Sequence, residues 1–207
     1  MLLKYLLKNY NQNEPIFLSD IKLSVTNTYL RQMFKNLCDS GKIQRFDKGI
    51  YYLNNSKYRI KGGTTLSASE VAKYKYISRK SSVDGYYSGF TFANQLGLTT
   101  QVPFTIEIVS NNASAKCREV NIKNQKVIIR KPRTFITSQN SIVLQFLDLL
   151  KDLEQYSDFE LPEITDKIYS YVKKVGISRA DVDKYIPLFP DRIYKYIYEM
   201  RLYNAFA

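Results

Sequence analysis

Residues 27–53 read NTYLRQMFKNLCDSGKIQRFDKGIYYL, and a change of period inside this stretch decides the fold. In its first half Leu30, Met33, Phe34 and Leu37 recur at i, i+3, i+4 and i+7, the apolar stripe of a helix, and Asp39-Ser40-Gly41 supplies its stop. Beyond Gly41 the period becomes two. Lys42–Phe46 and Ile50–Leu53 flank Asp47-Lys48-Gly49, which predicts a hairpin with a tight glycine-containing turn.

Upstream, Leu2, Leu3, Leu6, Leu7 and Tyr10 predict a short amphipathic helix over residues 1–10, with Lys4 and Lys8 on its opposite face and Asn11–Pro15 ending it. Ser19 is the expected N-cap of a brief second helix carrying Ile21 and Leu23, and Ser24–Asn27 the turn into the third. Three helices followed by a hairpin is the order of a winged helix-turn-helix, whose third helix enters the major groove of duplex DNA while the hairpin touches backbone or minor groove. Phe34 and Leu37 are expected to anchor the third helix against Leu3, Leu6 and Ile21.

The polar face of that helix carries the matching chemistry. Arg31 and Lys35 suit phosphates or guanine edges, Asn27 and Gln32 can bridge an adenine edge, and Thr28 suits either role. Arg45 and Lys48 place charge on the hairpin. Taken singly, such residues are also what the solvated face of any helix carries; together with the element order they mark Asn27, Thr28, Arg31, Gln32, Lys35, Arg45 and Lys48 as DNA-binding candidates.

Composition narrows the alternatives. The 207 residues hold 31 Lys+Arg against 19 Asp+Glu, a formal charge of +12, which points to an acidic partner. The basic excess is +7 over residues 1–61 and +7 over 62–140, whereas 141–207 balance at −2. With no histidine, Ser-His-Asp and Cys-His nucleophile systems, His-assisted zinc sites and imidazole acid–base pairs are excluded. Cys38 and Cys117 stand far apart without CxxC spacing, so neither a disulfide framework nor a thiolate metal cluster is written, and a reducing cytoplasm fits. Met1–Lys8 is broken by Lys4 and Lys8 and lacks a cleavage site, and no apolar run approaches the roughly 20 residues of a membrane span, so an unprocessed protein with no membrane partner is expected.

Lys61-Gly62-Gly63-Thr64 separates two differently patterned stretches and marks the expected boundary between a domain of residues 1–61 and one of residues 64–207. In the latter, Ser67–Glu70 is a capping box opening a helix from Ala68 to about Ser78, and Ser88–Leu96 is a second helix stopped by Gly97. Phe104–Val109, Lys116–Ile122 and Lys126–Arg130 are rich in β-branched residues and predict a small antiparallel meander. Four helical stretches follow, marked by Ile142–Leu153, Ile164–Val175, Ser178–Ile186 and Ile193–Met200. The chain is thus α+β throughout: a winged helix-turn-helix, then a mixed domain with a small antiparallel sheet and C-terminal helices.

Catalytic features are thin. Asp181-Val-Asp183 has the look of a nucleotidyltransferase carboxylate pair but lies in helical sequence without a Gly-Ser turn upstream. Glu107 sits in a strand like a nuclease carboxylate, yet Val109 stands where a lysine is wanted. Gly62-Gly63 and Gly85–Gly89 match no phosphate-loop spacing. Tyrosines at helical spacing read as packing residues with wet hydroxyls. No catalytic residue, cofactor or metal is assigned.

A wing reading Gly41-Lys-Ile-Gln-Arg-Phe-Asp-Lys-Gly-Ile-Tyr51, followed by Tyr86-Tyr-Ser-Gly-Phe90 and by Leu96-Gly-Leu-Thr-Thr-Gln-Val-Pro103, resembles the AbiEi antitoxins of type IV abortive-infection toxin–antitoxin systems. The resemblance runs over the whole chain, and its specific part is the Leu96–Pro103 segment after such a wing. It implies a bacterial, non-enzymatic phage-defence protein with two jobs. The N-terminal domain would repress its own operon on inverted repeats, and the C-terminal domain would neutralise a nucleotidyltransferase-like toxin, direct contact being left open. The C-terminal region here is more compact than that family's. The alternative is a winged-helix transcriptional regulator whose C-terminal domain senses a ligand or mediates dimerisation.

Overall fold

The computed structural model describes residues 1–53 and 66–207, which divide into two compact units, Met1–Val71 and Ala72–Ala207. The diglycine expected to mark the boundary, Gly62-Gly63, lies outside the described residues.

In the first unit, α1 (Leu2–Asn9) leads to β1 (Ile16–Phe17), a single 3-10 turn (Leu18–Asp20), α2 (Asn27–Asp39) and the hairpin of β2 (Gln44–Asp47) and β3 (Ile50–Tyr52). The three strands form one antiparallel sheet in the order β1-β3-β2. Thr26 caps α2, its hydroxyl accepting the Tyr29 amide at 3.3 Å. In the hairpin turn Gly49 adopts φ +76°, a left-handed conformation that favours glycine.

Two local expectations are corrected. No second helix forms at Ser19, whose hydroxyl turns to the Asp20 carboxylate instead of capping, and Ile21 is extended at φ −80°, ψ 110°. The reason lies in Ile21-Lys-Leu-Ser-Val-Thr26: extended chain sends Ile21, Leu23 and Val25 to the core and Lys22, Ser24 and Thr26 to solvent, which a helix could not do. In α1 the buried face is Leu2 and Leu6, continued by Tyr10, while Leu7 is 57% exposed and Leu3 only half-buried. Leu2, and not Leu3, therefore belongs to the core cluster that holds Leu30 and Phe34 of α2.

The second unit opens with the remainder of α3 (Ala68–Tyr76). That helix begins in the expected capping box: the Glu70 carboxylate accepts the Ser67 amide at 2.8 Å and the Ser67 hydroxyl accepts the Glu70 amide at 3.1 Å. A two-stranded ribbon, β4 (Ser78–Arg79) and β5 (Ser82–Val83), is followed by β6 (Gly85–Tyr87) and α4 (Gly89–Gln95). Then come β7 (Thr105–Ser110), β8 (Cys117–Ile122) and β9 (Gln125–Arg130).

The expected antiparallel meander is not what forms. The four-stranded sheet has the order β6-β7-β9-β8, with β7 and β9 parallel and the other two pairings antiparallel. Ile106 to Ser110 of β7 are all buried, so this strand needs a neighbour on both sides, whereas Cys117, Arg118, Glu119 and Asn121 of β8 are exposed and suit only an edge. The polar strand therefore swings outward, and β9 returns to pair with β7.

Helices α5 (Ser141–Lys151), α6 (Leu153–Tyr156), α7 (Leu161–Val175), α8 (Arg179–Tyr185) and α9 (Arg192–Glu199) complete the unit. The run Val143, Leu144, Phe146, Leu147, Leu149 and Leu150 is buried all round, because α5 packs against β6, α4, α8 and α9 at once. At Gly85 a Cβ would sit 2.3 Å from the Tyr76 carbonyl and 2.5 Å from that of Val109, so glycine alone lets β6 lie this close. No helix among the described residues is long and apolar enough to cross a membrane.

The side chain of Phe34 has no solvent exposure, and its ring lies 4.5 Å from that of Tyr51. Phe34→Ala is expected to cost about 3–5 kcal/mol, a large share of what a unit this small can hold. A thermal or urea transition of the first unit unmoved by this substitution would show the α2 register to be wrong.

Candidate nucleic-acid interface

α2 buries Leu30 and Phe34, half-buries Met33 and Leu37, and turns Asn27, Thr28, Arg31, Gln32 and Lys35 outward. Arg31 and Lys35 stand one turn apart on the same side. On the hairpin, Arg45 pairs in register with Tyr51, and its Nε donates to the Asp47 carbonyl at 3.3 Å. A register shift between Arg45 and Asp47 accommodates Phe46, which is buried while Arg45 on one side stays exposed. The Asp47 carboxylate accepts the Lys48 amide at 2.7 Å, and the Leu18 amide donates to the Gly49 carbonyl at 2.9 Å, tying the turn to the 3-10 segment.

The consequence is one open groove of about 860 Å³ between helix and hairpin. Arg31 and Lys35 line it from α2 and Arg45 and Lys48 from the hairpin, over apolar surface from Leu18 and Tyr51, with Asp39 the one carboxylate on its wall. Four cations from two successive elements, the helix and the hairpin, thus converge on a single anion-attracting surface. Cys38 also borders it. Burial raises the thiol's pKa and Asp39 raises it further, against a smaller opposing pull from Arg45, so the group stays a protonated thiol rather than a reactive thiolate.

Asn27, Thr28 and Gln32 lie outside this lining, on the N-terminal part of α2, and Gln32 spends its amide on Asn36 at 2.9 Å. Beside them stands an aromatic that the sequence reading passed over: Tyr29 is 56% exposed in the first turn. The signal was available, since Tyr29 falls off the Leu30-Met33-Phe34-Leu37 stripe.

Residues 3–178 match the profile of DUF6088, a family of unknown function. The chain belongs to the DUF6088 family. No curated protein matches it. The function of the family is unknown, so the resemblance to AbiEi antitoxins rests on the residues quoted for it.

Those residues have a defined place in this DUF6088 chain. In Leu96–Pro103, Gly97 turns left-handed at φ +67° and Leu98 is fully buried. The Asp158 carboxylate then collects Thr99 Oγ1 at 2.5 Å, the Thr100 amide at 2.9 Å and Gln101 Nε2 at 3.1 Å. These donors, Thr99 first, hold the Asp158 carboxyl below its ordinary pKa. The loop so held carries Val102 and Phe104, 86% and 80% exposed, at the rim of a cavity of about 380 Å³ that reaches Glu107.

Glu107 is nearly buried and fully engaged, pairing with Arg130 at 2.5 Å and accepting the Phe90 amide at 3.2 Å. A Cβ on Gly89 would lie 2.4 Å from its carboxylate, so Tyr86–Phe90 turns over this ion pair. Asp181 is occupied by Ser178 at the start of α8, and Asp183 pairs with Arg179 at 3.6 Å. Among the described residues no group of three or more Cys, Asp or Glu is placed to hold a metal ion.

Because the folded pKa of Asp158 is depressed, its hold on Thr99–Gln101 is present above the ordinary carboxylate pKa of about 3.9 and is lost as pH falls through the folded value. The protection of the Thr100 amide, its hydrogen exchange measured against the intrinsic rate at the same pH, is expected to fall in Asp158→Ala at neutral pH, and in the unsubstituted chain only under acid conditions. Unchanged exchange in Asp158→Ala would remove this carboxylate as the clamp.

Proposed function

We propose that this DUF6088 protein binds double-stranded operator DNA through a winged helix-turn-helix formed by its first unit, and that it acts as a repressor of its own operon. The observation that carries this reading is the convergence of Arg31, Lys35, Arg45 and Lys48 on one groove. The β1-β3-β2 sheet supports it by laying a basic helix beside a basic hairpin, with the 3-10 turn Leu18–Asp20 standing where that fold has its second helix. In this reading the groove follows the phosphates, and Asn27, Thr28 and Gln32 at the head of α2 read base edges in the major groove. Inverted repeats would be met by two copies of the chain.

The resemblance at Leu96–Pro103 extends the proposal to the second unit, as the part that neutralises a nucleotidyltransferase-like toxin of the same operon in a bacterial cytoplasm, without enzymatic activity of its own. A second reading, a ligand-sensing regulator, is favoured by a cavity of about 360 Å³ in this unit. Leu153, Phe159, Leu161 and Ile164 supply its apolar wall, and Glu154, Tyr196, Lys195 and Glu199 its polar groups. Burial and the hydrogen bond to Glu154 push the Tyr196 hydroxyl up to about 12, keeping it a neutral donor.

The test is the variant Arg31→Ala/Lys35→Ala/Arg45→Ala/Lys48→Ala, assayed on DNA upstream of its own gene. The slope of log affinity against log salt is expected to fall by about 0.9 for each phosphate that the variant no longer neutralises, and Gln32→Ala to cost roughly 1–3 kcal/mol at one operator position. In cells the quadruple variant should lose repression yet still protect against the induced toxin. Unchanged affinity and slope in a folded quadruple variant rejects the groove. Loss of protection together with repression rejects the division of labour, and a small molecule that alters DNA affinity through the second-unit cavity selects the regulator reading.

A further inference from the structure

Residues 111–133 hold seven cations, Lys116, Arg118, Lys123, Lys126, Arg130, Lys131 and Arg133, against the single carboxylate of Glu119. Three of the seven have structural tasks. Lys126 pairs with Glu119 at 2.8 Å, Arg130 with Glu107 at 2.5 Å, and Arg133 donates to the Leu188 carbonyl at 2.9 Å while lying over the Phe189 ring.

Lys116, Arg118 and Lys131 are different. All three are exposed, and none forms an ion pair with a carboxylate among the described residues. They are also placed against one another. The β8–β9 ladder ends at the pair Cys117 and Arg130, and in the next step the Lys131 amide donates to the Lys116 carbonyl at 3.1 Å, so the two lysines stand directly opposite. The alternation of a strand puts Arg118 on the same side as Lys116, where its guanidinium rests on the Ser114 hydroxyl at 2.5 Å. Like charges directly opposed across an antiparallel pair destabilise it. Guarding an exposed sheet edge does not call for this, because Arg118 and Glu119 already place a charge on each side of β8. An uncompensated trio facing solvent is instead what neutralisation by an external polyanion relieves.

We infer that this end of the β8–β9 hairpin is a second contact for a nucleic-acid backbone, made by the second unit through Lys116, Arg118 and Lys131. The inference rests on the reading of duplex DNA as the partner. It adds a phosphate-only contact, because three flexible or forked donors on a strand edge carry charge without a base-reading element.

The experiment uses the full chain and the same duplex for four proteins: unsubstituted, Lys116→Gln/Arg118→Gln/Lys131→Gln, the charge-conserving Lys116→Arg/Lys131→Arg, and the groove variant described above. The triple variant should lower the salt slope by up to about 2.7, at about 0.9 per phosphate, and the charge-conserving variant should keep it. Without DNA, the triple variant should melt at or above the unsubstituted chain's temperature in low salt, since it removes repulsion. An unchanged slope in the triple variant alongside a lowered slope in the groove variant overturns the hairpin contact and leaves the groove reading standing. Failure of the unsubstituted chain to bind any duplex overturns both. Protection of Lys116 and Lys131 from amine modification by inorganic phosphate as strongly as by duplex at equal phosphate concentration overturns the inference in favour of a free-anion site; protection by duplex alone supports it.

Discussion

The contact between Phe34 and Tyr51 governs what the first unit can do. It joins the middle of α2 to the central strand of the three-stranded sheet, and so fixes how the helix lies against the hairpin. Three of the four cations of the groove are positioned next to that contact. Arg31 precedes Phe34 by three residues and Lys35 follows it directly, while Arg45 is the register partner of Tyr51 itself. The core is therefore a template that sets the spacing of charge on the surface.

The second unit is organised around a different constraint, the burial of charge. Glu107 and Arg130 meet across the sheet, and the turn at Gly89 is shaped so that its backbone can approach the carboxylate. Such a pair does little for net stability in return for its desolvation, but it is strongly directional, and it fixes where α4 starts relative to β7 and β9. Asp158 performs a similar service for the Thr99–Gln101 loop from a solvent-exposed position. Glu107, which resembles a nuclease carboxylate in the sequence, thus acts as a fastener, as Asp158 does.

Much of this is legible in the sequence wherever a single period governs a stretch. The stripe on α2, the capping box of α3, the hairpin turn and the helices from Ser141 onward all follow from local patterns and appear where those patterns place them. The misreadings have a common origin. Ile21-Lys-Leu-Ser-Val-Thr26 alternates with period two, yet its length suits either reading, and a helix is expected there because Ser19 offers an N-cap. The parallel pairing of β7 with β9 is a non-local choice, decided by the burial of β7 on both sides and the polarity of β8, which no turn signal encodes. In the groove, the sequence names all four cations but cannot show that they line one surface, or that Asn27, Thr28 and Gln32 stand apart from it.

The irregularity at Phe46 has a consequence for how such a hairpin can diversify. By opposing two residues to one, it buries Phe46 and leaves Arg45 outside, so the identity of the side chain at position 45 is free to change while the length of the strand is not. A one-residue deletion there would exchange the two faces, sending charge inward and an aromatic ring out. Variation in the charge this surface carries is therefore channelled into substitution, and insertions and deletions are confined to the chain on either side of the hairpin.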